Sequence, residues 1–161
     1  MSEQSDIAFT IAAETPLQHD VRVMIKALND HLSPLSPPEF CFQMTAEQIA
    51  ETATTLFVAR DERGYALAMG ALKRHADGVA EVKRMYTRPE FRGQHIGRAV
   101  LKRIEGLARS EGFTRLVLET GIEHTHGESW RLYKRNGFVP CGVLLDYPDS
   151  GWNAFFEKKL A

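Results

Sequence analysis

Apolar side chains at Val21, Met24, Ile25, Leu28 and Leu32 recur every three to four residues, which places them along one face of a helix predicted from Leu17 to Leu32. The segment ahead of it, Ile7 to Ala13, alternates weakly and predicts a strand. Ser33 to Pro38 then reads Ser-Pro-Leu-Ser-Pro-Pro. Its prolines remove donors and fix φ, so a rigid loop is expected there and neither a helix nor a central strand. Thr45-Ala46-Glu47-Gln48 has the form of a capping box, in which the Thr and Gln side chains satisfy N–H groups left free by the first turn. It opens a short helix expected to reach Thr52.

Thr54 to Arg60 and Tyr65 to Lys73 are two runs rich in apolar, β-branched and aromatic residues, separated by Asp61-Glu62-Arg63-Gly64, and predict a hairpin. Ala76-Asp77-Gly78 marks the next turn, and Val79 to Thr87 supplies a third strand of the meander, ended by Pro89. From Ile96 the apolar positions Val100, Ile104 and Leu107 keep helical spacing until Gly112. Phe113 to Leu118 reads as a buried strand, and the crossover helix before it makes it parallel to the strand that precedes that helix. Trp130 to Arg135 is expected to be helical, and Phe138 to Leu145 and Asn153 to Leu160 to be the last two strands. The outcome is a mixed α+β domain spanning residues 1–161. Its central twisted sheet is mostly antiparallel with one parallel pair, and helices cover both faces.

A chain of 161 residues, 43% hydrophobic and 25% charged, can bury a sufficient core as one domain. Twenty Lys+Arg against twenty-one Asp+Glu give a net charge of -1 and exclude the basic excess that a nucleic-acid partner requires. The basic residues Lys83, Arg84, Arg88, Arg92, Arg98, Lys102 and Arg103 nevertheless crowd one stretch, and a small anionic ligand accounts for that asymmetry. Cys41 and Cys141 sit in apolar company and read as reduced core residues. No apolar run approaches the ~20 residues of a membrane span. The opening Met-Ser-Glu-Gln-Ser-Asp lacks the features of a secretory signal, so a cytoplasmic location away from membranes is expected.

Arg92-Gly93-Gln94-His95-Ile96-Gly97-Arg98 lies between a predicted strand and a predicted helix, where free backbone N–H groups and the positive end of the helix dipole converge. Gly93 and Gly97 lack a Cβ and admit a diphosphate close to the backbone, while Arg92 and Arg98 add charged donors. The spacing is not G-x-G-x-x-G and no G-K-S/T follows, which removes the Rossmann and P-loop readings. The turn instead resembles the Gln/Arg-x-x-Gly-x-Gly/Ala signature of the GNAT acetyltransferases. Leu132-Tyr133-Lys134-Arg135-Asn136-Gly137-Phe138 resembles that family's later L-Y-x-x-x-G-F. The order of elements agrees from residue 7 onward. Within the family, a bacterial branch of the YsnE type is similar in the Ser-Pro-Pro-Glu of Ser36 to Glu39, in Leu118-Glu119-Thr120-Gly121 and in Asp146-Tyr147. Two departures stand out: His95 where the signature usually has glycine, and His126 where many members have a cofactor-contacting asparagine.

The resemblance implies acetyl-CoA as co-substrate, bound by Met85, Tyr86 and Thr87 on the strand end and by Arg92, Gly93, Gln94, His95, Ile96, Gly97 and Arg98 in the turn. It implies direct transfer of an acetyl group, within a ternary complex, to a primary amine of a small molecule. Acetylation of a protein lysine or N-terminus, and a non-catalytic acyl-CoA-binding module, are the alternatives. The attacking amine must be neutral, so a base is needed. Glu81 matches the catalytic glutamate of several members, its other reading being an exposed strand residue paired with a neighbouring Lys or Arg. Glu119 and water are the other bases, and Glu119 is assigned to the acceptor site with Pro38 and Phe40 of the proline-rich loop. Tyr133 matches the family's general acid, its other reading being a core aromatic. The resemblance admits a homodimer. His124 and His126 lack completing ligands, so no metal is expected and both read as solvated loop residues. Trp152, Phe155 and Phe156 read as packing.

Overall fold

The computed structural model describes residues 7–51 and 53–160. The opening hexapeptide and Thr52, at the expected end of the second helix, lie outside the described residues. The chain runs β1 (Phe9–Ala13), α1 (His19–Leu32), α2 (Ala46–Glu51), β2 (Thr54–Asp61), β3 (Ala66–Arg74), β4 (Val79–Thr87), α3 (Ile96–Ser110), β5 (Arg115–Gly121), α4 (Glu123–Arg135), β6 (Val139–Cys141) and β7 (Asn153–Lys159). Among the described residues the strands form one sheet in the order β1-β2-β3-β4-β5-β7-β6. Every pairing is antiparallel except β4 with β5, the parallel pair that a crossover through α3 dictates.

Helices cover both faces. On one, α1 and α2 bury Val21, Met24, Ile25, Leu28 and Ile49 against Leu56, Val58, Met69 and Tyr86. On the other, α3 and α4 bury Val100, Leu101, Ile104 and Tyr133 against Leu67, Val82, Leu118 and Phe156. Each fully buried Leu or Ile contributes roughly 1.5–3 kcal/mol relative to exposure, so these two apolar seams hold the helices to the sheet. The capping box forms as expected: Gln48 N–H donates to Thr45 Oγ1 at 3.1 Å and Thr45 N–H to Gln48 Oε1 at 2.9 Å.

Five expectations are corrected. The proline-rich segment contains two 3₁₀ turns, Ser33–Leu35 and Pro38–Phe40, each with proline in its first two positions, where the missing N–H has no intrahelical partner to lose. The helix expected from Trp130 begins at Glu123, so His124 and His126 stand on α4 and not on a solvated loop. The strand expected from Phe138 to Leu145 is only Val139–Cys141, an edge strand beyond β7 whose Pro140 could not donate to a second neighbour. Neither cysteine is a core residue: both are half-buried and free. Phe155 and Phe156 pack inside the protein as read, whereas Trp152 is exposed.

One irregularity positions everything that follows. Arg84 has φ +56°, and between Ala71↔Lys83 and Met69↔Tyr86 two residues of β4, Arg84 and Met85, oppose the single Gly70 of β3. This bulge reverses the alternation of β4. Val82 packs on the α3 side, whereas Tyr86, an even number of residues later, packs on the α1 side. Gly70 is required opposite it, because a Cβ there would lie 2.5 Å from Met85 Sδ and 2.8 Å from Val100 Cγ1. The β4–β5 ladder ends at Val82↔Leu118, although β4 continues to Thr87 and β5 to Gly121. Past that point the two strands separate and leave a cleft.

Candidate active site

The cleft opens into a cavity of ≈ 1100 Å³. Its floor is the end of β4, where Met85, Tyr86 and Thr87 all line it, followed by Arg92, Gly93, His95, Ile96, Gly97 and Arg98. Gln94 is exposed and lies outside the lining. No side chain caps α3, so its first-turn N–H groups are free to meet an anion together with the helix dipole. Gly93 has φ +80° with nothing within 4 Å of a Cβ position. His95 occupies the left-handed region at φ +63°, so this turn does demand a positive φ and the histidine costs on the order of 1 kcal/mol there. Arg92 Nε donates to the Thr87 carbonyl at 3.0 Å, which fixes the turn against the strand end.

Glu81 and Glu119 stand on the two lips. Glu81 is only 2% exposed, which removes its reading as an exposed strand residue. Its Oε2 accepts from the Tyr147 hydroxyl at 2.6 Å, and its Oε1 lies 2.8 Å from His75 Nε2. Lys83 Nζ donates to the Tyr147 oxygen at 2.8 Å and stands 3.7 Å from Glu81 Oε2. Burial pulls the Lys83 pKa down, with Glu81 pulling the other way, and pushes the Tyr147 phenol up with help from the Glu81 charge. Tyr147 is therefore a neutral donor. Glu119 is pushed above the usual carboxylate range by burial, against the opposing hydrogen bond donated by Asn153 Nδ2.

Tyr133 projects from α4 to the same cavity, its ring packed on Phe138 and Phe156 at centroid distances of 5.8 and 6.1 Å. Burial raises its pKa, with Glu119 adding to the effect, so the phenol keeps its proton at neutral pH. Among the described residues nothing in the protein hydrogen-bonds to its hydroxyl. His126 sits at a kink in α4 with φ -127° and lies over Gly121, where a Cβ would come 2.0 Å from its Nδ1. Burial lowers its pKa and leaves it neutral, with Thr125 Oγ1 2.7 Å from Nδ1. The outer wall is Leu28, His31 and Leu32 of α1 with Ser36, Phe40 and Phe42 of the following loop. Phe40 thus lies where it is expected, while Pro38 is exposed and does not line the cavity.

The site also gathers residues to which the sequence assigns no individual role: His75 and Asn153, with Lys83 and Arg84, named only within the basic stretch, and Tyr147, named only in the YsnE-type resemblance. One signal was available. Lys83 and Arg84 are adjacent in a strand buried on both faces, so strict alternation would drive one cation into the apolar α3 side, a conflict that a bulge resolves. Among the described residues no group of His, Cys, Asp and Glu is placed to hold a metal, and no helix is long and apolar enough to cross a membrane.

Comparison with known proteins gives a consistent picture. A family model described as "Acetyltransferase (GNAT) family" matches residues 25–138, more than half of the chain. The IAA acetyltransferase of Azospirillum brasilense is 36% identical over 152 residues, covering 94% of this chain and 97% of that protein. YsnE, an uncharacterized N-acetyltransferase of Bacillus subtilis (strain 168), is 31% identical over 143 residues, covering 86% and 93%. A solved structure from Klebsiella pneumoniae, assigned to the acyl-CoA N-acyltransferases, superposes with a TM-score of 0.79 at 28% identity over 95% of this chain and 98% of that one.

Proposed function

This chain belongs to the GNAT family of acyl-CoA-dependent N-acetyltransferases, and from that membership we propose that it transfers the acetyl group of acetyl-CoA to the primary amine of a small molecule, by direct attack within a ternary complex. The observation that carries this reading is the convergence of Glu81, Glu119 and Tyr133, from three separate elements, on the one cavity that also holds the uncapped start of α3. The diphosphate of acetyl-CoA is assigned to the Arg92–Arg98 turn, and the acyl end to the strand edge at Met85–Thr87. Backbone groups that a continuous β4–β5 ladder would have consumed are available at that edge.

In this mechanism Glu119 receives the incoming ammonium. Glu81 takes its proton through a water, since both carboxylate oxygens already have partners. The neutral nitrogen attacks the thioester carbonyl, the N–C bond forms, and as the C–S bond breaks the nitrogen releases its second proton to solvent, leaving the neutral amide. The departing thiolate takes the proton of Tyr133, which solvent then restores. His75, Tyr147 and Lys83 position Glu81. A small acceptor is favoured by the wall that α1 and the Phe40–Phe42 loop raise over the cleft.

The test is a screen of amines with acetyl-CoA that follows release of free thiol. Turnover of small amines is expected. Robust acetylation of protein lysines with none on small amines would overturn the acceptor assignment.

A further inference from the structure

Arg84 has an unusual position for a cation. It is 7% exposed, and its Nε is buried without any hydrogen-bond partner, the single such side-chain atom among the described residues. Nη2 donates to Asn29 Oδ1 of α1, and among the described residues no ion pair reaches the guanidinium. Burial alone lowers its pKa, to about 10, so it remains charged at neutral pH. A guanidinium withdrawn from water with no counter-ion is strongly destabilising unless something outside the protein supplies the missing charge.

The bulge supplies the aim. By strand alternation Arg84 would face the side opposite Lys83, against α3; with its left-handed φ of +56° it stands instead on the α1 side, where Nη2 meets Asn29 and the residue lines the cavity that Leu28 and His31 also line. An arginine held in that region is strained, and here the strained residue is one that lines the ligand space. The two carboxylates of the same cavity are occupied elsewhere. Glu81 is held by Tyr147, His75 and Lys83, and Glu119 by Asn153. The cavity therefore presents acidic groups on its β4 and β5 lips and, toward α1, an unpaired guanidinium.

We infer that the acceptor is a carboxylate-bearing amine of the amino-acid kind, with Arg84 receiving its carboxylate while its amino group faces Glu119 and Glu81. The inference rests on the acetyl transfer proposed above and narrows its acceptor. Arginine suits the role because its planar fork matches a carboxylate, and Asn29 already fixes one arm of that fork.

The experiment compares kcat/KM for matched acceptors that differ only at the carboxylate: phenylalanine, leucine and lysine, each against its carboxamide and against the amine left by decarboxylation. The parent protein should favour the carboxylates by about 10- to 100-fold, the scale of a charge-assisted hydrogen-bonded pair. In Arg84→Gln that ratio should collapse toward one, and in Arg84→Lys, which keeps the charge without the fork, it should fall between. Melting temperature and acetyl-CoA affinity establish that the variants are folded. If Arg84→Gln does not fold, the ratio in Arg84→Lys decides in its place. Equal turnover of acids and amides by the parent, or a ratio unchanged in the folded variant, overturns the inference and leaves acetyl transfer standing. No thiol release from any amine defeats the acceptor reading itself, and the inference with it.

Discussion

The Tyr147 hydroxyl donates a 2.6 Å hydrogen bond to Glu81 Oε2, tying the loop ahead of β7 to the middle of β4. Phe42 meets the Tyr147 ring edge-on at 5.0 Å, so the loop that follows α1 and its 3₁₀ turns braces the same phenol. A carboxylate this buried would be costly if unpaired. Here Tyr147 and His75 each engage one oxygen and Lys83 completes the set, which keeps Glu81 beside the cavity in one orientation.

Glu81→Gln keeps the volume and removes the basic oxygen, so kcat should fall by ~10²- to 10⁴-fold. Tyr147→Phe leaves the carboxylate and deletes one donor, and about a tenfold loss is expected, the worth of one net hydrogen bond. Acetyl-CoA affinity, measured by calorimetry, should stay within about twofold of the parent in both, a margin well under the tenfold that 1.4 kcal/mol represents. Parental turnover in Glu81→Gln would transfer the base role to Glu119 or to water.

The turn before α3 makes a separate prediction. Gly97→Val should weaken acetyl-CoA binding by more than about tenfold, since β-branched bulk would stand at the uncapped helix start. A Cβ at this position would also lie 3.2 Å from Thr87 Oγ1, so a purely internal clash must be separated from occlusion of the ligand. Gly97→Val combined with Thr87→Ala relieves the internal contact but leaves the bulk. If the double variant regains parental affinity, the diphosphate does not lie against Gly97.

Much of this site could be read before folding because its signals are local. The capping box at Thr45–Gln48, the stripe Ile96, Val100, Ile104 along α3 and the turn between them and β4 each depend on residues within a few positions of one another. The start of α4 was hidden because Glu123 to Ser129 carries no apolar stripe and includes Gly127 and the kinked His126. Tertiary contact holds it instead, through Trp130 Nε1 donating to the Gly121 carbonyl at 2.9 Å. The Glu81–Tyr147 bond joins positions 66 residues apart, and no periodicity encodes such a meeting.

Arg60 provides a stability test away from the chemistry. Its Nη2 and Nε reach the two oxygens of Glu14 at 2.8 and 2.9 Å, and its Nη1 reaches Asp20 Oδ2 at 2.6 Å. The Arg60 hydrogen bond is the main cause holding both carboxyls below their usual range, with burial opposing it. Depressed folded-state values mean that the unfolded chain binds more protons in acid. This stabilisation is therefore complete above the ordinary carboxylate pKa of about 4 and is lost as pH falls through the folded values. Arg60→Met should lower Tm at pH 7 by a few degrees, at about 2–4 °C per kcal/mol for a domain of this size, and by much less near pH 3. An equal deficit at both pH values would assign the loss to packing.

The last prediction concerns Tyr133, for which the proposed role as general acid stands against that of a packing aromatic. The ring is held by Phe138 and Phe156, the residue lines the cavity, and among the described residues its hydroxyl has no protein hydrogen bond to lose. Tyr133→Phe therefore removes a proton and almost nothing else. Tm should stay within about 2 °C of the parent, because no net hydrogen bond of about 1 kcal/mol is broken. Burial keeps the phenol protonated at neutral pH, which is the state an acid needs before the C–S bond breaks. Removing a general acid costs typically ~10²- to 10⁴-fold in kcat, with ground-state binding unchanged. A thioester with a better leaving group needs that proton less, so the defect should shrink when the CoA thiol is replaced by a more acidic one. A packing tyrosine would show neither the loss nor the dependence on the leaving group. Near-parental kcat with acetyl-CoA would make solvent the proton source and leave Tyr133 to its ring contacts.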